Sequence, residues 1–125
     1  MTNISKLTSP EQIERFKKEF ERYQNILNLQ DYDVEFRLGG LGEWTSGEIR
    51  VDVEHRSAIV WLSHVLEKSF DVEKTAKHEA IHLFLSPLRD LVNISTKYSD
   101  TPKITESQLT AIEESMVRML TKVII

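Results

Sequence analysis

Apolar residues three and four positions apart form the first readable pattern in the chain. Ile13, Phe16, Phe20, Tyr23 and Leu27 recur at helical spacing. They follow Ser9-Pro10-Glu11-Gln12, where serine can cap, proline suits the first helical position and glutamine completes a capping box. A helix running to about Asn28 is expected. Strict alternation over residues 32–38 puts Val34, Phe36 and Leu38 on one side, the mark of a strand with one face buried. Gly39, Gly40 and Gly42 end it. A second strand is expected over 48–54, with Ile49, Val51 and Val53 on one face. His55-Arg56-Ser57 reads as a hairpin turn, and a third strand over 58–62 is apolar on both faces, as a well-buried strand would be. The short connections favour antiparallel pairing of these strands.

The next helix is predicted to start near Asp71, a fair cap, and to stop at Ser86-Pro87, because proline lacks the N–H that continues a helix. Residues 88–104 show no clear period and carry loop signals at Ser99-Asp100 and Thr101-Pro102. Thr105-Glu106-Ser107-Gln108 is a second capping box, opening a helix that runs nearly to Ile125. The order helix, three strands, helix, helix, without repeats, implies an α+β fold in one domain over 1–125. At 125 residues, 40% hydrophobic and 29% charged, the chain suits one compact core rather than disorder.

A net charge of −4 argues against broad nucleic-acid binding. The absence of cysteine removes disulfides and thiolate metal sites. The first twelve residues are polar, and no run approaches the roughly 18 apolar residues of a membrane span. No signal peptide, no membrane association and a cytoplasmic location are therefore expected.

The most informative motif is His78-Glu79-Ala80-Ile81-His82. Histidines four apart on a helix project from one face, at a spacing where two neutral ring nitrogens can share one Zn²⁺. Glu79 then lies beside the metal, placed to take a proton from a bound water. Thr75, His78, Glu79 and His82 make one polar stripe between the apolar faces of Val72, Ala76 and Leu83 and of Ile81 and Leu85. Buried polar groups need partners, and a metal explains all four together, whereas a pair of core histidines would not.

Catalytic zinc needs a third protein ligand, and no histidine follows His82. The pattern with a third histidine six residues on fails, since Leu88 stands there and Leu85 replaces the required glycine. A downstream ligand is then one of Asp90, Asp100, Glu106, Glu113 or Glu114. On the last helix Leu109, Ile112, Met116, Leu120, Val123 and Ile124 form an apolar arc at about 100° per residue, with Glu113 inside it and Glu114 at its polar edge. An inward carboxylate is costly unless a cation meets it. Glu113 is the expected ligand. The alternative is that Glu113 pairs with a buried Arg or Lys, or reaches solvent past a short helix edge.

With these residues the chain resembles the zincin metallopeptidases whose third ligand is a glutamate on a later helix (the gluzincin type). It is most similar to small phage and prophage proteins classed as metallopeptidases. The specific match covers residues 78–87 and Ile112-Glu113-Glu114 with Val117-Arg118. The resemblance implies a minimal zincin-like fold with a small, mainly antiparallel sheet. It also implies Zn²⁺ held by His78, His82 and Glu113, and Glu79 as general base of a metalloendopeptidase-like hydrolase. A peptide or protein substrate would pair with a sheet edge, for which strand 58–62 is the expected candidate. Larger members add a histidine or tyrosine that steadies the transition state. Tyr98 and His64 are the residues available here, neither within a motif. A catalytically weak or inactive zinc-binding interaction module is the competing reading.

The remaining residues support blander assignments. His55 and His64, at strand ends, read as surface or loop residues. Trp61 reads as a core or cleft-wall aromatic. Trp44, near Gly42 and Gly47, reads likewise or as part of a flap over the site.

Overall fold

A computed structural model of the chain describes residues 5–39, 45–67, 70–97 and 105–124. The elements are β1 (Ser5–Leu7), α1 (Pro10–Ile26), β2 (Asp33–Gly39), β3 (Gly47–Asp52), β4 (Ser57–Ser63), β5 (Val65–Glu67), α2 (Val72–Lys97) and α3 (Glu106–Val123). The α+β class with helices at both ends is as expected. Both capping boxes form: Ser9 and Gln12 bond reciprocally at the start of α1, and Thr105 and Gln108 at the start of α3. α1 ends earlier than its apolar pattern, and Asn28 takes a left-handed conformation (φ 58°) just after the Leu27 cap.

The three-stranded sheet has the order β2-β4-β3. β3 and β4 form the expected antiparallel hairpin, with Asp52 opposite Ser57 and Arg56 at φ 52° in the turn. β2 pairs parallel to β4, Val34 opposite Ala58, which departs from the antiparallel expectation. β2 and β3 are consecutive but lie on opposite edges, so the hairpin returns β4 between them in the direction of β2. A second small sheet, β1 antiparallel to β5, had no sequence signal, because each strand is only three residues long.

One face of the sheet packs on the helices. Ala58, Val60 and Leu62 of β4 meet Phe16, Phe20 and Tyr23 of α1 and Val72, Ala76, Ala80 and Leu83 of α2. Phe36 stands edge-on to Phe16 and Phe20, at 6.3 and 5.4 Å between ring centroids. Trp61 is on the opposite face of the sheet, not in the core. Its ring lies between the guanidinium groups of Arg50 (5.1 Å) and Arg37 (5.9 Å).

α2 is 26 residues long and passes through Pro87, where a stop was predicted. Proline cannot donate to the carbonyl of Leu83, but the Ser86 hydroxyl does so at 2.7 Å. The orphaned acceptor is thus satisfied, and the helix continues through residues 88–97. A further cluster of Ile81, Leu85 and Val117, with Met116, Leu120 and Ile124 against it, joins α2 to α3. Ile112 and Val123 are exposed, so the buried arc of α3 is centred nearer Val117 than the sequence pattern suggested. No described helix is long and apolar enough to cross a membrane.

The C-terminus of α3 is held by Lys77 of α2, which donates to the carbonyl oxygens of Thr121 (2.7 Å) and Ile124 (2.5 Å). A cation at that point also opposes the negative end of the helix dipole. Lys77→Met is expected to lower stability by about 1.5–3 kcal/mol, the range for hydrogen bonds to a charged group. Urea unfolding of the two proteins measures it.

Candidate metal centre

The N-terminal half of α2 positions the motif. Asp71 caps the helix by accepting from the amide of Lys74 at 3.0 Å. One turn apart, the rings of His78 and His82 lie 4.8 Å between centroids, with their Nε2 atoms 3.2 Å apart. From α3, Glu114 brings Oε1 to 2.9 Å from His82 Nε2 and Oε2 to 3.5 Å from His78 Nε2. One donor atom from each of these three residues lies within 4.8 Å of the others.

The carboxylate grouped with the two histidines is Glu114, and Glu113, the expected ligand, is outside that group. Glu113 does face inward and is only 12% exposed, but it meets the other side of His82, with Oε2 3.1 Å from Nδ1. The cation that offsets its burial is Arg89, whose Nη1 lies 2.9 Å from the same oxygen. The inward acid does meet a cation, and that cation is a guanidinium. Glu113 is centred in the seam between α2 and α3, where Leu109 and Val117 are also buried. A metal site with an open position needs the flank of that seam instead, and Glu114, about 100° further round, overhangs it. Arg89 lies seven residues after His82 and so on the same helix face, a signal available in the sequence.

The donor set fits a divalent ion. Two imidazole nitrogens and a carboxylate are ordinary zinc ligands; the Nε2 atoms lie 3.2 Å apart, and Glu114 reaches each with a different oxygen, at 2.9 and 3.5 Å. Burial and the adjacent His82 ring hold the His78 pKa below its usual value, against an upward pull from Glu114. That favours the neutral ring a metal needs.

Glu79 lies outside this group of donors and is buried, at 5% exposure. Its pKa is pushed up to about 8, first by burial and then by the nearby charges of Glu114, Glu48 and Glu113. A carboxyl held in this way can carry a proton near neutral pH. A nearby cation acts in the opposite direction.

Beside the three donors is an open cleft of about 720 Å³, walled by Gly47 and Ile49 of β3, Thr75 and Glu79 of α2, and Thr110 of α3. A smaller hollow of about 300 Å³ continues past Val51 and Val53 towards Ser86 and Arg89. The strand along the cleft is β3. β4, the expected edge, is central and paired on both sides. β3 pairs only with β4 among the described residues.

The other sequence candidates are elsewhere. His64 follows β4, its Nδ1 and backbone amide both bond the Gly39 carbonyl, and it does not line the cleft. His55 is exposed in the hairpin turn and paired with Asp52. Asp90 lines the smaller hollow, and Glu106 pairs with Arg89. Tyr98, Asp100 and Trp44 lie outside the described residues. No family model matches the chain, and no curated protein or solved structure shows significant similarity to it.

Close approach of β3 to α2 depends on Gly47, where an added Cβ would lie 2.7 Å from Thr75 Cγ2. Threonine in a helix has little freedom to turn away. Gly47→Ala is expected to cost about 1–3 kcal/mol as an overpacked contact. Adding Thr75→Ser, which removes only that methyl, should recover most of the loss in a denaturant-unfolding cycle.

Proposed function

We propose that this protein is a zinc-dependent peptidase, with His78, His82 and Glu114 as metal ligands and Glu79 as general base. The observation that carries the reading is a non-ligating, buried carboxyl next to three convergent donors on an open cleft. A purely structural zinc site is closed and has no use for such an acid. Imidazole and carboxylate ligands suit zinc, and the same set accepts manganese, cobalt or nickel.

When bound, the ion supplies Lewis-acid polarisation of a carbonyl and acidifies water. Glu79 accepts the proton of the attacking water and returns it to the leaving amine. β3 runs along the cleft with one edge unpaired among the described residues, where an extended peptide can add as a strand with its scissile bond near Glu79. Ile49 and Val51 offer apolar contact to its side chains.

A second reading, a zinc-binding interaction module, is favoured by one observation. Among the described residues lining the cleft there is no tyrosine and no histidine beyond the pair. Metal analysis followed by cleavage of a peptide library separates the two. The peptidase reading expects bound zinc and chelator-sensitive cleavage; zinc without cleavage supports the module, and no bound metal rejects both.

Two substitutions assign the roles. Glu79→Gln is expected to keep the metal and lose at least about 10²–10⁴-fold in turnover, the contribution of a general base; equal turnover would remove Glu79 from the mechanism. Glu114→Ala is expected to weaken metal binding beyond the ~10–100-fold typical of groups that only support a ligand. Dialysis and metal analysis measure that loss.

A further inference from the structure

We propose that the His78 end of the cleft binds a carboxylate of the substrate through Lys74 and Arg118. The substrate class is then a peptide with an acidic side chain or a free C-terminus close to the scissile bond. The proposal rests on the peptidase reading above and names what that site selects.

Lys74 lines the cleft one helical turn before His78, and Arg118 stands one turn after Glu114 on the same face of α3. Arg118 is near enough for its charge to act on His78. α2 and α3 run antiparallel, Lys77 meeting Thr121 and Arg89 meeting Glu106, so both cations fall at one end of the site. The opposite end is acidic. Asp90 lines the smaller hollow there, and Arg89 is taken up by Glu106 and Glu113.

Neither cation is tied into the fold by an ion pair. Lys74 and Arg118 have no carboxylate partner among the described residues, whereas Arg15, Arg22, Arg37, Arg56 and Arg89 each meet one. Lysine in the first turn of α2 also opposes the helix dipole, and the neighbouring acid, Glu73, is held by Arg15. Both residues are exposed, so an arriving carboxylate reaches them without displacing another. One turn of helix advances about 6 Å, which is about two residues of an extended peptide. A carboxylate on Lys74 therefore belongs to a residue close to the bond that Glu79 serves.

The surroundings make such a choice diagnostic. Glu48 and Glu114 line the same cleft and the chain carries a net charge of −4, so non-specific attraction favours basic peptides. Selection of acidic ones needs a local cause.

The test reads binding apart from catalysis. Immobilised metal-free protein is given a random peptide library at low salt, in one form with free C-termini and in another amidated. The parent is expected to retain carboxylate-bearing peptides about 2–10-fold over neutral ones, the scale of two exposed ion pairs, and to lose that preference at high salt. Asp and Glu enriched from the amidated form identify a side-chain carboxylate; stronger retention of the free-acid form identifies the terminus. Lys74→Glu and Arg118→Glu should each weaken the preference, and the double variant should turn it towards Lys and Arg. A parent that retains acidic and basic peptides equally, or prefers basic ones, overturns the proposal, and so does an acidic preference that survives in the double variant. Zinc-loaded parent given the same library tests the reading beneath. Chelator-sensitive cleavage with no carboxylate enriched near the cut overturns the proposal and leaves the peptidase; acidic retention with no cleavage overturns the peptidase and leaves the carboxylate site. The parent's own salt-sensitive preference decides the matter even where a variant fails to fold.

Discussion

α2 has apolar packing on two sides and turns a polar strip to the cleft on a third. Val72, Ala76, Ala80 and Leu83 are taken up by α1 and the sheet, and Ile81 and Leu85 by α3. What remains is the strip carrying Thr75, His78, Glu79 and His82, and the cleft is the gap left above it. The neighbouring elements then determine the chemistry. Gly47 lets β3 come close enough to bury Glu79, and α3 supplies two consecutive glutamates to the histidines. Site and core are thus two consequences of one packing arrangement, since any shift of α2 to improve one face would move the others.

Local signals were legible wherever a short segment decides its own structure. The capping boxes at Ser9 and Thr105 need only four residues, and both formed as read. The alternation of β2 and the hairpin of β3 and β4 were equally local. Pro87 shows where such reading fails: the stop rule assumes an orphaned carbonyl, and Ser86 satisfies it with one rotamer. Strand order also escaped, because pairing β2 with β4 depends on how the sheet meets the helices, not on the length of a connection. For the site, both histidines and the buried Glu79 followed from helical spacing. Which glutamate groups with the two Nε2 atoms did not, since it depends on the rotation of α3 against α2 and on finding Arg89 on the same face as His82.

The electrostatics of the cleft favour a cation. Glu79, Glu48, Glu113 and Glu114 are close enough for the last three to raise the pKa of the first. Arg89 contacts only Glu113 of these four, and its remaining bonds go to Glu106 and Thr110. Glu114 instead faces two imidazole nitrogens, and His78 is biased towards its neutral form. Carboxylates therefore gather where the imidazole donors converge, with Lys74 also lining the cleft.

The two glutamates can divide their tasks only if α3 keeps its rotation. About 100° separates their directions, so a modest turn of the helix would take Glu114 from the cleft and Glu113 from the seam together. α2 and α3 run antiparallel, and α2 grips its neighbour at two points. Lys77 holds the carbonyls of Thr121 and Ile124 near one end, and Arg89 holds Glu106 and Thr110 near the other. Twelve residues of helix, about 18 Å, separate the two grips, and His82 lies between them. A slide or roll of α3 must break bonds at both, whereas the apolar contacts of Val117 and Leu120 alone would tolerate a small roll. The polar clamps at the ends of the interface therefore fix the geometry of the donors at its middle.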